Sequence, residues 1–290
     1  MDSPPLYCRI GIIGAGRVAS AMAYALYRHS AAPLLVWGRD PVRREALVAT
    51  VAHSSATPDL ATLAATCDLI LIAVSDDVIA AMATDLATLL PDDAAPLILH
   101  VSGRSGATIL APLAQRGALT AAVHPAMTFT GDATQEVARM VGAPFVITAP
   151  TPPAIAAAHA FVALLGGVAE EVAEAQRPLY HAALCHAANH LVTLIAGACD
   201  ALAAAGVANP PALLGPLVHA ALNNSLDRGM AALSGPLIRG DGDTIRNHLA
   251  ALSADCPQLL QPYRAMATAT LDALERSGQQ TSTELRQDLA

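Results

Sequence analysis

The chain has no lysine, so all sixteen of its basic residues are arginines. That absence rules out a Schiff base on any side chain. It also removes the ammonium group as a general acid, leaving histidine, tyrosine, cysteine or a water they hold to move protons. Cysteine is sparse and scattered: Cys8, Cys67, Cys185, Cys199 and Cys256 form no Cys-x-x-Cys pair. Neither a disulfide framework nor a zinc site is indicated, no metal is expected, and buried free thiols are the expectation. Long apolar runs are missing too. Hydrophobic residues make up 54% of the chain and the mean hydropathy is +0.45. Much of that apolarity is alanine, and no uninterrupted stretch approaches the roughly 20 residues of a membrane-spanning helix. Met1-Asp2-Ser3-Pro4-Pro5 lacks the basic start of a secretory signal, so the default expectation is a cytoplasmic protein without membrane contact. A formal net charge of −8 and a pI near 5.6 argue against a nucleic-acid partner, because the phosphate backbone rewards a basic face. No internal repeat and no low-complexity linker interrupts the chain.

What is present is 290 residues, enough for two domains of ordinary size. Short apolar strands alternate with helical segments at Ile10–Ile13, Leu34–Trp37, Leu69–Val74, Leu97–Val101, Ala121–Val123 and Phe145–Thr148. This pattern predicts an α/β domain with a doubly wound parallel sheet. Between the first strand and a helix-like stretch lies Gly14-Ala15-Gly16-Arg17-Val18-Ala19, which reads as a dinucleotide-binding turn. The first glycine permits a tight turn and the second lets the backbone approach a pyrophosphate. Ala19 is small enough for helix to pack on strand. The amides at that helix start would face the phosphates.

After the second strand comes Gly38-Arg39. An arginine there suits the 2′-phosphate of NADP, with Arg43 or Arg44 as a second donor, where an acid would suit NAD. Asp40 is such an acid, but followed by Pro41 it reads as a helix N-cap. NADP (NADPH) is therefore the expected cofactor, unless these arginines form only a solvated helix face. The later strand ends carry Ser75-Asp76-Asp77, Ser102-Gly103 and His124-Pro125, at the edge where ligands bind in such sheets. Asp76 or Asp77 reads as a helix cap and Ser75 as a cofactor contact. Ser102 and His124 point to where nicotinamide and substrate meet, His124 having a plain turn role as its alternative.

A break at Ala149-Pro150-Thr151-Pro152-Pro153 predicts a boundary, with domains at 1–150 and 151–290. The second is expected to be all helical, with helices from Pro178 to about Ala205, Pro211 to Leu226, Thr244 to Leu252 and Pro257 to Arg276, then a loosely ordered tail from Gly278. In the first of these helices, His181, Cys185 and Asn189 recur every four residues and share a face. His181 and Asn189 stand about 12 Å apart along it, far enough to flank a small molecule. His186 points elsewhere. Asn189 is a candidate to bind a carbonyl or hydroxyl and His181 to supply a proton; helix bridging in a satisfied core is the alternative. Further on, Ser234-Gly235-Pro236 leads to Arg239-Gly240-Asp241. Arg239 is a candidate carboxylate clamp, Asp241 either orients it or holds a tight turn, and Asp243 reads as the next N-cap.

These blocks together resemble a known family: Rossmann-like proteins whose C-terminal half is the domain of unknown function 2520. The resemblance rests on Gly14-Ala15-Gly16, Ser102-Gly103, His124-Pro125, Tyr180-His181-Ala182-Ala183 with Asn189, and Ser234-Gly235-Pro236 followed by Arg239-Gly240-Asp241. It implies membership of the superfamily of ketopantoate reductases and 6-phosphogluconate dehydrogenase-like enzymes. These are generally NADP-dependent, with a helical, often dimer-forming second domain. The wider group's dehydrogenases commonly carry a lysine four residues before the helix asparagine; Cys185 holds that place here. The expected proton donor is accordingly His181, then His186 or His124, with Ser102, His186, Arg239 and Asp241 on the substrate and Gly14, Ala15, Gly16, Arg17, Val18, Arg39 and Ser75 on the cofactor. The expectation is an NADPH-dependent reductase and homodimer acting on a small oxoacid or imine in an interdomain cleft. A nucleotide-responsive sensor or scaffold dimer and a deazaflavin-dependent NADP reductase stay open beside it.

Overall fold

The computed structural model describes residues 6–290; the reading of Met1 to Pro5 lies outside the described residues. In chain order the larger elements are β1 (Ile10–Ile13), α1 (Arg17–Leu26), β2 (Leu34–Trp37), α2 (Pro41–Thr50), β3 (Ser54–Ala56), α3 (Leu60–Thr66), β4 (Leu69–Ile72), α4 (Ile79–Leu89), β5 (Leu97–His100), α5 (Ala111–Ala114), β6 (Leu119–Pro125), α6 (Ala133–Met140), β7 (Pro144–Thr148), α7 (Pro152–Leu164) and β8 (Val168–Glu171). Helices follow: α8 (Arg177–Ala204), α9 (Pro210–Arg228), α10 (Pro236–Arg239), α11 (Gly242–Asp255), α12 (Leu260–Arg276) and α13 (Thr283–Leu289).

The eight strands form one sheet in the order β3-β2-β1-β4-β5-β6-β7-β8. Strands β1 and β4, with the sequences IGII and LILI, are buried along their whole length. Continuous apolar runs of this kind suit strands covered by helices on both faces. One side of the sheet packs Ile10, Ile12, Leu69, Leu71, Phe145 and Phe161 into a core and the other packs Ile13, Ile70, Ile72, Leu86 and Ile98. The order reverses between β1 and β4, so their carboxyl ends flank the crevice where ligands bind in such sheets. Local chemistry sets the helix starts. Asp40 accepts from the amides of Val42 and Arg43 with Pro41 behind it. Asp59, Asp132 and Thr151 cap α3, α6 and α7 in the same way.

Four expectations need correction. The sheet is not wholly parallel, since β7 pairs antiparallel with β6. It also does not stop near residue 150: α7 and β8 extend it, β8 pairing parallel with β7. The first compact unit runs to Cys185 and the second from His186 to Ala290. Thr151-Pro152-Pro153 is a helix start within the first unit, and the exposed, glutamate-rich β8 gave no apolar signal. Asp76 and Asp77 cap nothing, because Val78 occupies the cap position of α4 without a side-chain bond; Asp76 pairs with Arg104 at 3.6 Å. Finally, the tail is ordered: Ser282 caps α13, which buries Leu285 and Leu289.

Within the second unit, Ile245, Leu249, Ala267, Leu271 and Leu274 join those two leucines in a small core. Helix α9 buries no residue, and the only buried residue of α8 is Arg177, which belongs to the first unit. The helical run Glu174–Ala204 has a mean hydropathy of 1.4 over its most apolar window, of which 6% is buried. By length and composition alone it meets the requirement for a membrane span. The sequence reading missed this because polar residues interrupt the run every few positions while alanine keeps the average high.

Candidate active site

The turn between β1 and α1 is shaped by Gly14. Its φ is +129°, and a Cβ there would lie 2.3 Å from the Ala73 carbonyl oxygen at the end of β4, so a side chain is excluded both by conformation and by space. Around Gly16 the reverse holds: a Cβ would meet nothing within 4 Å. Gly16 is the N-cap of α1 but offers no side-chain cap, and the first turn holds no acid. The amides at this helix start are therefore unclaimed by any side chain, in the field that favours an anion. Arg17 begins the helix, exposed.

Beside this turn a groove of about 280 Å³ is lined by Gly14, Ala15, Gly16, Trp37, Arg39, Arg43 and Ser75. Arg39 is exposed and has no hydrogen bond or ion pair among the described residues. Arg43 pairs with Asp40 at 3.4 Å on the surface, and Arg44 turns back to the Gly38 carbonyl at 3.4 Å. A second hollow of about 430 Å³ continues from the same turn, lined by Gly16, Arg17, Val18, Ser75, Asp76, Ser102, Gly103, His124 and Phe129. Gly14, Ala15, Gly16, Arg17, Val18, Arg39, Arg43 and Ser75 lie on one or both of these hollows, as do Ser102 and His124, while Arg44 lines neither.

Behind the second hollow sits a buried polar cluster that the sequence did not reveal. Arg177 is 1% exposed and forms no close ion pair among the described residues, Glu174 acting on its charge from further off. Its Nε donates to Thr148 Oγ1 at 2.8 Å, Nη1 to the carbonyls of Ser102 and Gly103 at 3.3 and 3.4 Å, and Nη2 to those of Ala122 and Val146 at 3.2 and 3.0 Å. One guanidinium thus ties the β5 loop to β6, β7 and α8. His100, fully buried, approaches the Gly106 carbonyl at 2.8 Å through Nε2, while its Nδ1 accepts from the Ser102 amide at 3.2 Å. Only the neutral Nε2–H form satisfies both bonds, and burial pushes its pKa down to about 4. Ser102 uses its hydroxyl oxygen to accept from the Ser105 amide at 3.1 Å, which holds the loop closed.

His124 lies 2.7 Å from the Tyr180 hydroxyl through Nδ1, with the two rings edge to face. Burial, then the nearby Arg177, pushes its pKa down to about 4. His181, one residue further along α8, meets it at Gly103: a Cβ on that glycine would lie 2.8 Å from the His181 ring and 2.9 Å from His124 Nε2. Cys185 Sγ is 3.8 Å from His181 Nε2. Tyr180 stood in the sequence motif without a role. Its signal was its place beside His181, but only the fold brings His124, 56 residues earlier, onto its hydroxyl. Phe129 was missed as well. Its loop is held by the fully buried Glu136, which accepts from the amides of Thr130 and Gly131.

The remaining candidates lie in the second unit. Asn189 and His186 are exposed on α8, and His186 Nδ1 is 3.0 Å from His190 Nδ1. Arg239 ends α10 and is exposed, followed by Gly240 in the left-handed region at φ 69°. Asp241, not Asp243, caps α11: its oxygens take the Thr244 amide at 3.1 Å and the Thr244 hydroxyl at 2.7 Å, bonds that hold its carboxyl below the usual range. Asp243 instead pairs with Arg246. Among the described residues no cluster of three or more metal-ligating side chains occurs.

Residues 3–125 match the model of the Rossmann-like domain, and residues 143–270 match that of the domain of unknown function 2520. The chain joins these two domains. A search of curated proteins finds no match. Among solved structures, a provisionally assigned NADP oxidoreductase from Bacteroides fragilis superposes with a TM-score of 0.74 at 24% identity, covering 91% of this chain and 98% of that one. A reductive aminase from Aspergillus terreus in complex with NADPH4, cyclohexanone and allyl amine gives 0.66 at 17% identity, covering 96% and 97%. An imine reductase from Myxococcus stipitatus in complex with NADP+ gives 0.67 at 16%, covering 97% and 99%. At these identities the likeness concerns the fold, and it extends over nearly the whole of both chains.

Proposed function

We propose that this protein is an NADPH-dependent oxidoreductase that reduces a small 2-oxoacid of ketopantoate-like kind or an imine. The observation that carries the reading is the β1–α1 turn: a glycine that admits no side chain, an uncapped helix start, and an unpaired Arg39 on the same groove. Such a turn fits a dinucleotide, and the structural neighbours that hold NADPH or NADP+ support that choice. The amides from Gly16 to Val18 hold the diphosphate, and Arg39, with Arg43 or Arg44 beside it, holds the 2′-phosphate as a fork of charge-assisted donors. When bound, NADPH supplies a hydride to the substrate carbon.

The chain's own groups then orient the substrate and deliver a proton. Ser102, His124 and His181 belong to the first unit, where Gly103 lets both imidazoles approach the hollow beside the turn. Asn189, His186 and Arg239 are assigned to the substrate, Asn189 to its reacting group and Arg239 to its carboxylate, with Asp241 bracing the Arg239 turn. A second copy of the chain is the proposed partner. Val192, Leu217 and Leu226 stand 70%, 65% and 77% exposed, and a soluble protein covers such apolar helix faces by association. We also assign the protein to the cytoplasm, which cell fractionation checks.

Purified protein mixed with NADPH and a panel of 2-oxoacids and cyclic imines is expected to consume NADPH, followed by the nicotinamide absorbance. Asn189→Ala is expected to lower turnover far more than NADPH affinity. Binding without consumption across the panel would replace the reductase with a nucleotide-sensing protein, and consumption only with a deazaflavin present would change the electron partner.

A further inference from the structure

His124 is the imidazole that faces the hollow beside the dinucleotide turn, yet it is poorly suited to give up a proton alone. Its environment disfavours a cation from several sides. Arg177 and His181 act on it from α8 and His100 from β5, and of the charges acting on it only Asp76 is negative; Tyr180, also on α8, is its hydrogen-bond partner. A neutral imidazole that loses its single N–H becomes an imidazolate, a costly species at neutral pH. It escapes that cost only if its other nitrogen takes up a proton in the same step.

The structure supplies such a source. Tyr180 Oη lies 2.7 Å from Nδ1, and its phenol is held above its ordinary pKa by burial, so the hydroxyl keeps its proton until it is needed. The Arg177 guanidinium carbon sits 5.7 Å from the Tyr180 ring centroid. Arg177 hydrogen-bonds only to carbonyl and hydroxyl oxygens, and its charge, acting on Tyr180 as well as on Glu174, stabilises a phenolate. On the far side of the ring, Nε2 points at Gly103, a lining residue of the hollow.

We propose that Tyr180, His124 and the hollow form a proton relay: as the substrate carbon receives hydride, Nε2 gives its proton to the substrate oxygen or nitrogen while Nδ1 takes the proton of the Tyr180 hydroxyl. The step rests on the reductase reading above. It balances: the C=O or C=N bond gains one hydride and one proton, His124 ends neutral as it began, and Tyr180 is left as a phenolate that solvent reprotonates. His124 is the catalytic residue here and Tyr180 acts through it.

Two arms test the relay. The first needs neither cofactor nor substrate. Long-range ¹H–¹⁵N spectra of the full chain at neutral pH are expected to show His124 protonated at Nε2 with Nδ1 bare, and Tyr180→Phe is expected to shift the Nδ1 resonance. An Nδ1–H tautomer or an imidazolium in the wild type would overturn the wiring while leaving the reductase intact. The second arm uses whichever 2-oxoacid or cyclic imine of the panel the wild type reduces. Tyr180→Phe is expected to lower kcat by about 10²-fold with KM little changed. Its rate should fall about tenfold per pH unit on the alkaline side, because His124 must then be charged in advance; the wild-type rate should stay level through neutral pH. His124→Asn should lose as much, and the double variant no more than the worse single variant. A Tyr180→Phe enzyme with the wild-type pH profile, or additive losses in the double variant, would overturn the relay. Absence of NADPH consumption over the whole panel with the wild type would overturn the reductase reading and the relay's role together.

Discussion

The two units differ in how completely a single chain satisfies them. In the first, helices cover both faces of the sheet, and even the polar groups at its heart are buried and bonded: Arg177 through five contacts, His100 through two. In the second, a small core lies among α11, α12 and α13, while α9 buries nothing and Val192 and Leu194 of α8 stand 70% and 46% exposed. Apolar surface left in water contributes nothing to stability. The first unit is thus a finished fold carrying the glycine turn of the proposed nucleotide site, and the second leaves apolar helix faces exposed, which the proposed second copy would cover.

The largest expected effect strikes the finished unit at its tightest point. Gly14→Ala combines a positive φ with a clash against the Ala73 carbonyl and should cost roughly 3 kcal/mol or more, read as a lowered urea midpoint together with lost NADPH binding. A fully stable, NADPH-binding variant would contradict the close approach of Gly14 to the Ala73 carbonyl.

The next effect is a dependence on pH that two histidines of the first unit impose. His100 and His124 have folded pKa values pushed down to about 4 from an ordinary 6.5. Between those values the unfolded chain binds more protons than the native one, so their contribution is fully present above about pH 6.5. It is lost as pH falls toward 4, with a slope approaching 1.4 kcal/mol per pH unit for each histidine. Urea unfolding at stepped pH should show this slope, and His100→Asn should remove about half of it. An unchanged slope would mean that other groups govern acid unfolding.

The smallest effect on folding, and the sharpest on assembly, belongs to the second unit. Leu217→Glu with Leu226→Glu alters exposed positions, so it should change the stability of a monomer by less than about 0.5 kcal/mol per site. The same pair should abolish the proposed dimer in light scattering. A wild-type monomer in solution would break the contrast between the units.

Legibility in the sequence follows the same division. The strands of the first unit were readable because parallel, doubly covered strands are continuous apolar runs, and the turn at Gly14 because glycine is the residue that turn requires. β8 was not readable, since Val168-Ala169-Glu170-Glu171 is an exposed edge that pairs through its backbone, nor was the antiparallel β7, whose direction no side chain encodes. Arg39, Ser102 and His124 were placed at strand ends by counting from apolar runs. The pairing of His124 with Tyr180 and the burial of Arg177 were out of reach because they join segments far apart in the chain. Asp241 was read as orienting Arg239 or holding a tight turn, and Asp243 as the cap. Two acids two positions apart suit the same helix start equally well, and the structure gives the cap to Asp241.

The central claim, that the β1–α1 turn with Arg39 holds NADPH, is tested most directly by fluorescence titration of the wild type and Arg39→Ala with NADPH and NADH. The account predicts saturable binding with NADPH at least about tenfold tighter than NADH, and loss of that preference in the variant. No saturation with either nucleotide, or an equal affinity for both that Arg39→Ala leaves unchanged, would contradict it.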